Sequence, residues 1–193
     1  MPGLSVYAQQ KLNDHIRGKT AFTMPANFMA LFRATAGQSL RSTAVTVGQT
    51  TIPATPNNRM YRCSTAGTTG VGEPTWAVTT AGTTTDGTAV WTEMTTDFET
   101  NSAVAIASEA NYTSYARVSV PAASWNASSG VNGTNGVAVS FPACTGGTNI
   151  IGQGAFYDAL TVGNMLDYGG CNLTISSAIT PTFDPTAINI TID

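Results

Sequence analysis

Charge is scarce in this sequence: Asp, Glu, Lys and Arg make up 10% of its 193 residues, where an ordinary globular domain carries about 25%. The eight Lys and Arg are scattered and the net charge is −3. A chain of that kind has no basic stripe for a nucleic-acid backbone, so nucleic acid is not an expected partner. Histidine is nearly absent. With His15 alone, His-based metal sites and Ser–His–Asp triads lack parts, and no P-loop, GxSxG elbow or GxGxxG fingerprint appears. Cys63, Cys144 and Cys171 are too few and too far apart for a disulfide framework and lack the CxxC spacing of zinc sites. They read as buried free thiols. No apolar run approaches the roughly 18 residues of a membrane span, and the first residues lack the basic and apolar regions of a secretory signal. The expectation is a chain assembled in a cytoplasm, without cofactor, metal or membrane contact.

What fills the space is Gly, Ala, Thr, Ser and Asn, beside an apolar fraction of 42%. That fraction suffices for a core and argues against disorder. Leu4, Ala8, Leu12 and Ile16 recur every four residues, the period of an amphipathic helix. Ser5 can cap its start and Gly18 its end. The apolar run from Phe28 to Phe32 predicts a buried strand. Beyond residue 112 the pattern is repeatedly strand-like: YARVSV, GVAVSF, GAFYDA, NLTIS and AINITID, with Ile188, Ile190 and Ile192 on one face of the last. Glycine- and asparagine-rich breaks separate them. The fold class expected is mainly β: an antiparallel, jelly-roll-like β-sandwich with one N-terminal helix.

Composition shifts between residues 48 and 100. MYRCSTA and GTAVWTEM are candidate strands, Asp86-Gly87 is a hairpin turn signal, and two of the three tryptophans lie here. This predicts a small Trp/Thr/Gly-rich β unit, 48–100, inserted into a host formed by 1–47 and 101–193. Tyr61, Trp76 and Trp91 are its candidate contact residues. Flat aromatic rings can stack on sugar or on a partner protein, yet a unit this small also needs a core, and the core reading is preferred. Glu73, Asp86 and Glu93 are the one carboxylate group in which hydrolysis could be suspected. Glu73 precedes Pro74 in a loop, Asp86 belongs to the turn, and Glu93 is expected to point outward, so no enzyme is expected.

Several pieces occur in an ordered series: LSVYAQQKLNDHIRGKTAFTMPANFMALF, YARVSV followed by ASWN, VAVSFPACTGG, and AFYDALTVGNMLDYGG. Together they resemble a family of small tailed-bacteriophage virion proteins, tail-fibre-like or capsid-decoration-like, over residues 4–36 and 109–192. The stretch YRCSTAGTTGVGEPTWAVTTAGTTTDGTAVW is similar to a short module in many phage structural proteins, and distantly to aromatic carbohydrate-binding modules. Phe183, Asp184 and Pro185 stand where the family has a Gly-Asp turn. The resemblance implies a structural protein of the virion, whose partners are the major capsid protein or tail proteins, as a homo-oligomer or bound to a lattice. Lacking heptads or a short β-repeat for a fibre shaft, the sequence favours an exterior capsid decoration (cement) protein. The alternatives are a tail-fibre or baseplate component contacting host glycan and, against the missing signal, a secreted lectin-like adhesin.

Overall fold

The computed structural model describes residues 3–23, 26–130 and 132–191. A short strand β1 (Gly3–Leu4) leads into helix α1 (Val6–Ile16). The Ser5 hydroxyl accepts from the Ala8 amide at 3.2 Å, the expected cap. Gly18, at φ +68°, closes the helix in the left-handed region that glycine adopts without strain. The apolar run becomes β2 (Phe28–Arg33), followed by β3 (Gly37–Gln38), β4 (Ala44–Val45), β5 (Thr50–Ile52), β6 (Tyr61–Thr65), β7 (Gly67–Thr68), β8 (Thr83–Asp86) and β9 (Ala89–Glu93). Helices α2 (Thr95–Glu99) and α3 (Ala103–Ala107) come next, then β10 (Val118–Ser119) and a 3₁₀ turn at Ala122–Ser124. The remaining strands are β11 (Asn132–Thr134), β12 (Val139–Ser140), β13 (Asn149–Tyr157), β14 (Met165–Ile175), β15 (Thr182–Phe183) and β16 (Asn189–Thr191).

The molecule is mainly β and its sheets are antiparallel but for the β3–β5 pair. A five-stranded sheet in the order β1-β14-β13-β2-β10 lies at the centre. Its strands β13 and β2 have no solvent face. Met29 and Leu31 point one way, into a cluster with Val139, Phe141, Phe156 and Ile188. Ala30 and Phe32 point the other way, into a cluster with Ile52, Met60, Met94 and Phe98. Burial on both faces is why β2 reads as a continuous apolar run rather than an alternation.

The ribbons β11–β16 and β12–β15 cover the first face. The second five-stranded sheet, β3-β5-β6-β9-β8, covers the other together with α2 and α3. Two glycines allow this close approach. A Cβ on Gly152, where the β13 ladder bulges, would lie 2.6 Å from Ile52 Cγ2, and one on Gly170 would lie 2.5 Å from Asn58 Cβ. Asp86-Gly87 makes the β8–β9 hairpin turn, with Gly87 at φ +67°.

Helices α2 and α3 were not expected, since TTDFE and AVAIA carry no amphipathic period. Ile16, placed on the apolar stripe by its spacing, is 74% exposed. Ile192 lies outside the described residues. No described helix is long and apolar enough to cross a membrane.

Candidate functional site

The Trp-bearing stretch folds as a compact aromatic stack. Cys63 pairs with Trp91 across β6 and β9, which aligns Tyr61, Cys63 and Trp91 on one face. The Tyr61 and Trp76 rings lie 4.5 Å apart and the Trp76 and Trp91 rings 6.2 Å apart. Tyr61 and Trp91 are 0% and 1% exposed, so neither presents a ring to a ligand; Trp76 is half-buried. Tyr61 takes a hydrogen bond from Asn57 and donates one to the Ala77 carbonyl. Trp76 Nε1 donates to Glu73 at 2.9 Å, and the Ala54 amide meets the same oxygen at 2.7 Å. Burial pushes the Glu73 carboxyl up, but these donors outweigh it and hold the group below its ordinary value.

The three suspected carboxylates do not face one another. Asp86 is tied to Arg41 at 2.9 Å and to the Gly70 amide at 2.8 Å. Glu93 does not point outward as expected: it is 2% exposed, paired with Arg59 at 2.8 Å and hydrogen-bonded by Thr95. It shares parity with buried Trp91, two residues before it, and so follows that residue inward. His15, in the last turn of α1, uses Nδ1 to accept from the Phe22 amide at 3.1 Å. Cys63 and Cys144 are buried free thiols, while Cys171 is only partly buried. Among the described residues no His, Cys, Asp and Glu gather into a set that could hold a metal.

A second feature escapes the sequence. An apolar groove of about 690 Å³ runs between α1, the α1-proximal edge of the central sheet and the β11–β16 ribbon. Leu4, Ala8, Leu12, Trp125, Phe156 and Leu166 line it. Trp125 packs on Phe156 at 5.4 Å, and its Nε1 is buried without a hydrogen-bond partner. Asp167 reaches the groove from β14. Burial pushes its carboxyl from 3.8 up to about 7, against the Tyr168 amide that donates to it. Among the described residues it is the one carboxylate lining the groove, whereas glycoside hydrolysis of the common kind needs two flanking the bond. Trp125 could have been found as the one tryptophan outside the Trp-bearing stretch; Asp167 gave no signal, standing in what read as a break before NLTIS.

A third feature is an ion pair under the β13–β14 hairpin. Arg117 donates to both Glu109 oxygens, at 2.9 and 2.8 Å. Its Nη1 holds the carbonyls of Ala159 and Val162 at 3.1 and 2.7 Å, and its guanidinium lies 3.7 Å from the Tyr157 ring centre.

A double-faced β-sheet, a stapled aromatic unit and an apolar groove together make a β-rich module. The family described as Podophage GP4 fiber I protein gp80 matches residues 76–191, more than half of the chain, and the chain belongs to that family. It is a tailed-phage virion structural protein of fibre-like kind. The match opens at Trp76, inside the Trp-bearing stretch, and takes in α2, α3 and every strand from β8 onward. No curated protein matches the chain.

Proposed function

We propose that the protein is a non-enzymatic subunit of a podophage tail fibre, a compact body that assembles by protein–protein contact. The family match carries this reading. Its chemistry agrees. Four of the five arginines beyond Arg17 are spent on internal ion pairs with Asp86, Glu93, Asp97 and Glu109. What remains outside is largely neutral Thr, Ser, Asn and Gly, suited to wet, hydrogen-bonded contacts. Residues 48–100 act as a unit inserted into the host of 1–47 and 101–193. Within it Trp76, the one ring of the aromatic stack with an open edge, is the candidate contact for a neighbouring virion protein or a host glycan.

The second reading is exterior capsid decoration. It is favoured by the shape of the chain, since no shaft-like repeat is found among the described elements. Immunogold electron microscopy of intact particles with an antibody to this chain separates the two. Label confined to the tail end supports the fibre reading, and label spread over the shell supports decoration.

A further inference from the structure

We propose that the groove beside α1 is a binding site for an organic cation, an ammonium group carried on an apolar body, with Asp167 as its anionic partner and the Trp125 and Phe156 rings as its walls. The site is independent of where the chain stands on the particle.

The lining sets the chemistry of the ligand. In the central sheet Asp167 stands directly opposite Phe156 on one side and Leu4 on the other, so its side chain shares their face, with Cβ atoms about 5 Å apart. Trp125 packs on Phe156 at 5.4 Å, with the two ring planes inclined at 59°. Indole, phenyl and carboxyl therefore follow one another along the wall of a groove of about 690 Å³, a volume in the ordinary range for one small ligand. Trp125 lines the groove although its Nε1 is buried from solvent. The groove thus meets the carbon surface of the indole and not its N–H. Two inclined rings beside an acid make a receptor for an ammonium, because the ring quadrupoles and the full charge of the carboxylate act on the same cation.

Nothing in the protein already fills that role. No Lys or Arg is among the described residues that line the groove. Asp86, Glu93, Asp97 and Glu109 each have an arginine, whereas Asp167, among the described residues, has the Tyr168 amide at 2.8 Å and no cation. A carboxylate so placed costs free energy unless it takes a proton or a cation. Burial drives it toward the proton, its titration being pushed up to about 7. A ligand cation supplies the alternative, while a neutral ligand leaves the charge uncompensated and an anion opposes it. Asp167 also lines a smaller adjoining cavity of about 290 Å³. The other titratable groups among the described lining of the two cavities are His15 of α1 and Tyr168 and Cys171 of β14. Burial raises both β14 groups, Cys171 to about 12, so they stay neutral between pH 5 and 8. His15 accepts the Phe22 amide through Nδ1, which the uncharged ring alone can do.

Isothermal titration calorimetry of the full chain with hexyltrimethylammonium tests the site, with hexanol and hexanoate as neutral and anionic controls of matched chain. At pH 8 the cation should bind at least about tenfold more tightly than either control, and the preference should fade at pH 5, where Asp167 holds its proton. Asp167→Asn, its fold checked by circular dichroism, should lose both the preference and its pH dependence. A pH dependence that persists in Asp167→Asn belongs to His15 and overturns the role given to Asp167. Trp125→Leu should weaken the cation about fivefold or more and hexanol much less, while Trp125→Phe, which keeps a ring, should retain most of the affinity. Co-sedimentation with phosphatidylcholine vesicles separates the sources of such a group. Pelleting that hexyltrimethylammonium competes away identifies a lipid headgroup, and its absence beside tight binding of the probe identifies a soluble cation. Equal binding of the three probes, or no binding of the cation, overturns the inference. Neither result alters where immunogold label falls on the particle, so failure here is distinct from failure of the fibre reading.

Discussion

The Trp76 indole packs 4.5 Å from the Tyr61 ring and is fixed from its far edge by Glu73, which accepts from Nε1 at 2.9 Å. Trp91 lies beneath, 1% exposed, with its own Nε1 buried and unpartnered. The two tryptophans should therefore respond differently to substitution. Trp91→Ala opens a cavity and should cost about 3–5 kcal/mol, while Trp91→Phe should cost far less, because it also removes an unsatisfied donor. Trp76→Ala, at the half-open edge, should cost roughly 1–2 kcal/mol. Chemical denaturation of the three variants checks the order. A Trp76→Ala loss equal to that of Trp91→Ala would place both rings in the core.

The clasp between Arg117 and Glu109 predicts a larger loss than a surface ion pair. Arg117→Ala leaves Glu109 without its cation and two carbonyls without a donor, and should cost about 3 kcal/mol or more. Arg117→Lys should not rescue it, because an ammonium cannot hold two carboxylate oxygens and two carbonyls in one planar fork. Thermal unfolding of the two variants measures this.

Asp167 sets a pH dependence. Its folded-state carboxyl titrates near 7, above the 3.8 of an unfolded chain. The folded state thus holds a proton that the unfolded state releases, and the stability this confers is complete below about pH 4 and lost as pH rises through 7. Asp167→Asn should match the unaltered protein at pH 4 and exceed it at pH 8 by roughly 2 kcal/mol, less than the full shift implies because the carboxyl keeps some solvent. Melting curves at the two pH values test it.

The glycines beneath the second sheet offer a fourth test. Gly152→Ala places a methyl against Ile52 and Met60, both close to full burial, and should cost about 1–3 kcal/mol by forcing the sheets apart. Gly72→Ala, which meets nothing within 4 Å, should be close to neutral. Comparing the two melting temperatures separates overpacking from a general intolerance of alanine.

How legible each part was in the sequence follows from how local its cause is. Helix α1 was readable because Ser5, the four-residue apolar spacing and Gly18 all act within its own length. Strand β2 was readable because five consecutive apolar residues need burial on both faces. Strand β14 was read only from NLTIS, yet it begins at Met165. Asp167 and Gly169-Gly170 look like a turn, and only pairing with β1 and β13 makes them strand. The aromatic stack packs with Val45, Cys63 and Ala89, while the second sheet and α2 meet the central sheet through Ile52, Met60, Met94 and Phe98, contacts far apart in sequence. The groove joins α1 to residues more than a hundred positions later, and no local pattern announces it.

The central claim is that this chain is a fibre subunit, and copy number tests it most directly. A fibre component follows the tail's symmetry and is present in tens of copies at most, whereas a shell-decorating protein follows the capsid lattice and is present in hundreds. Quantitative mass spectrometry of purified particles, scaled to the major shell protein, should give a ratio below roughly one in ten. A ratio near one copy per shell subunit would contradict the account and assign the chain to the capsid exterior.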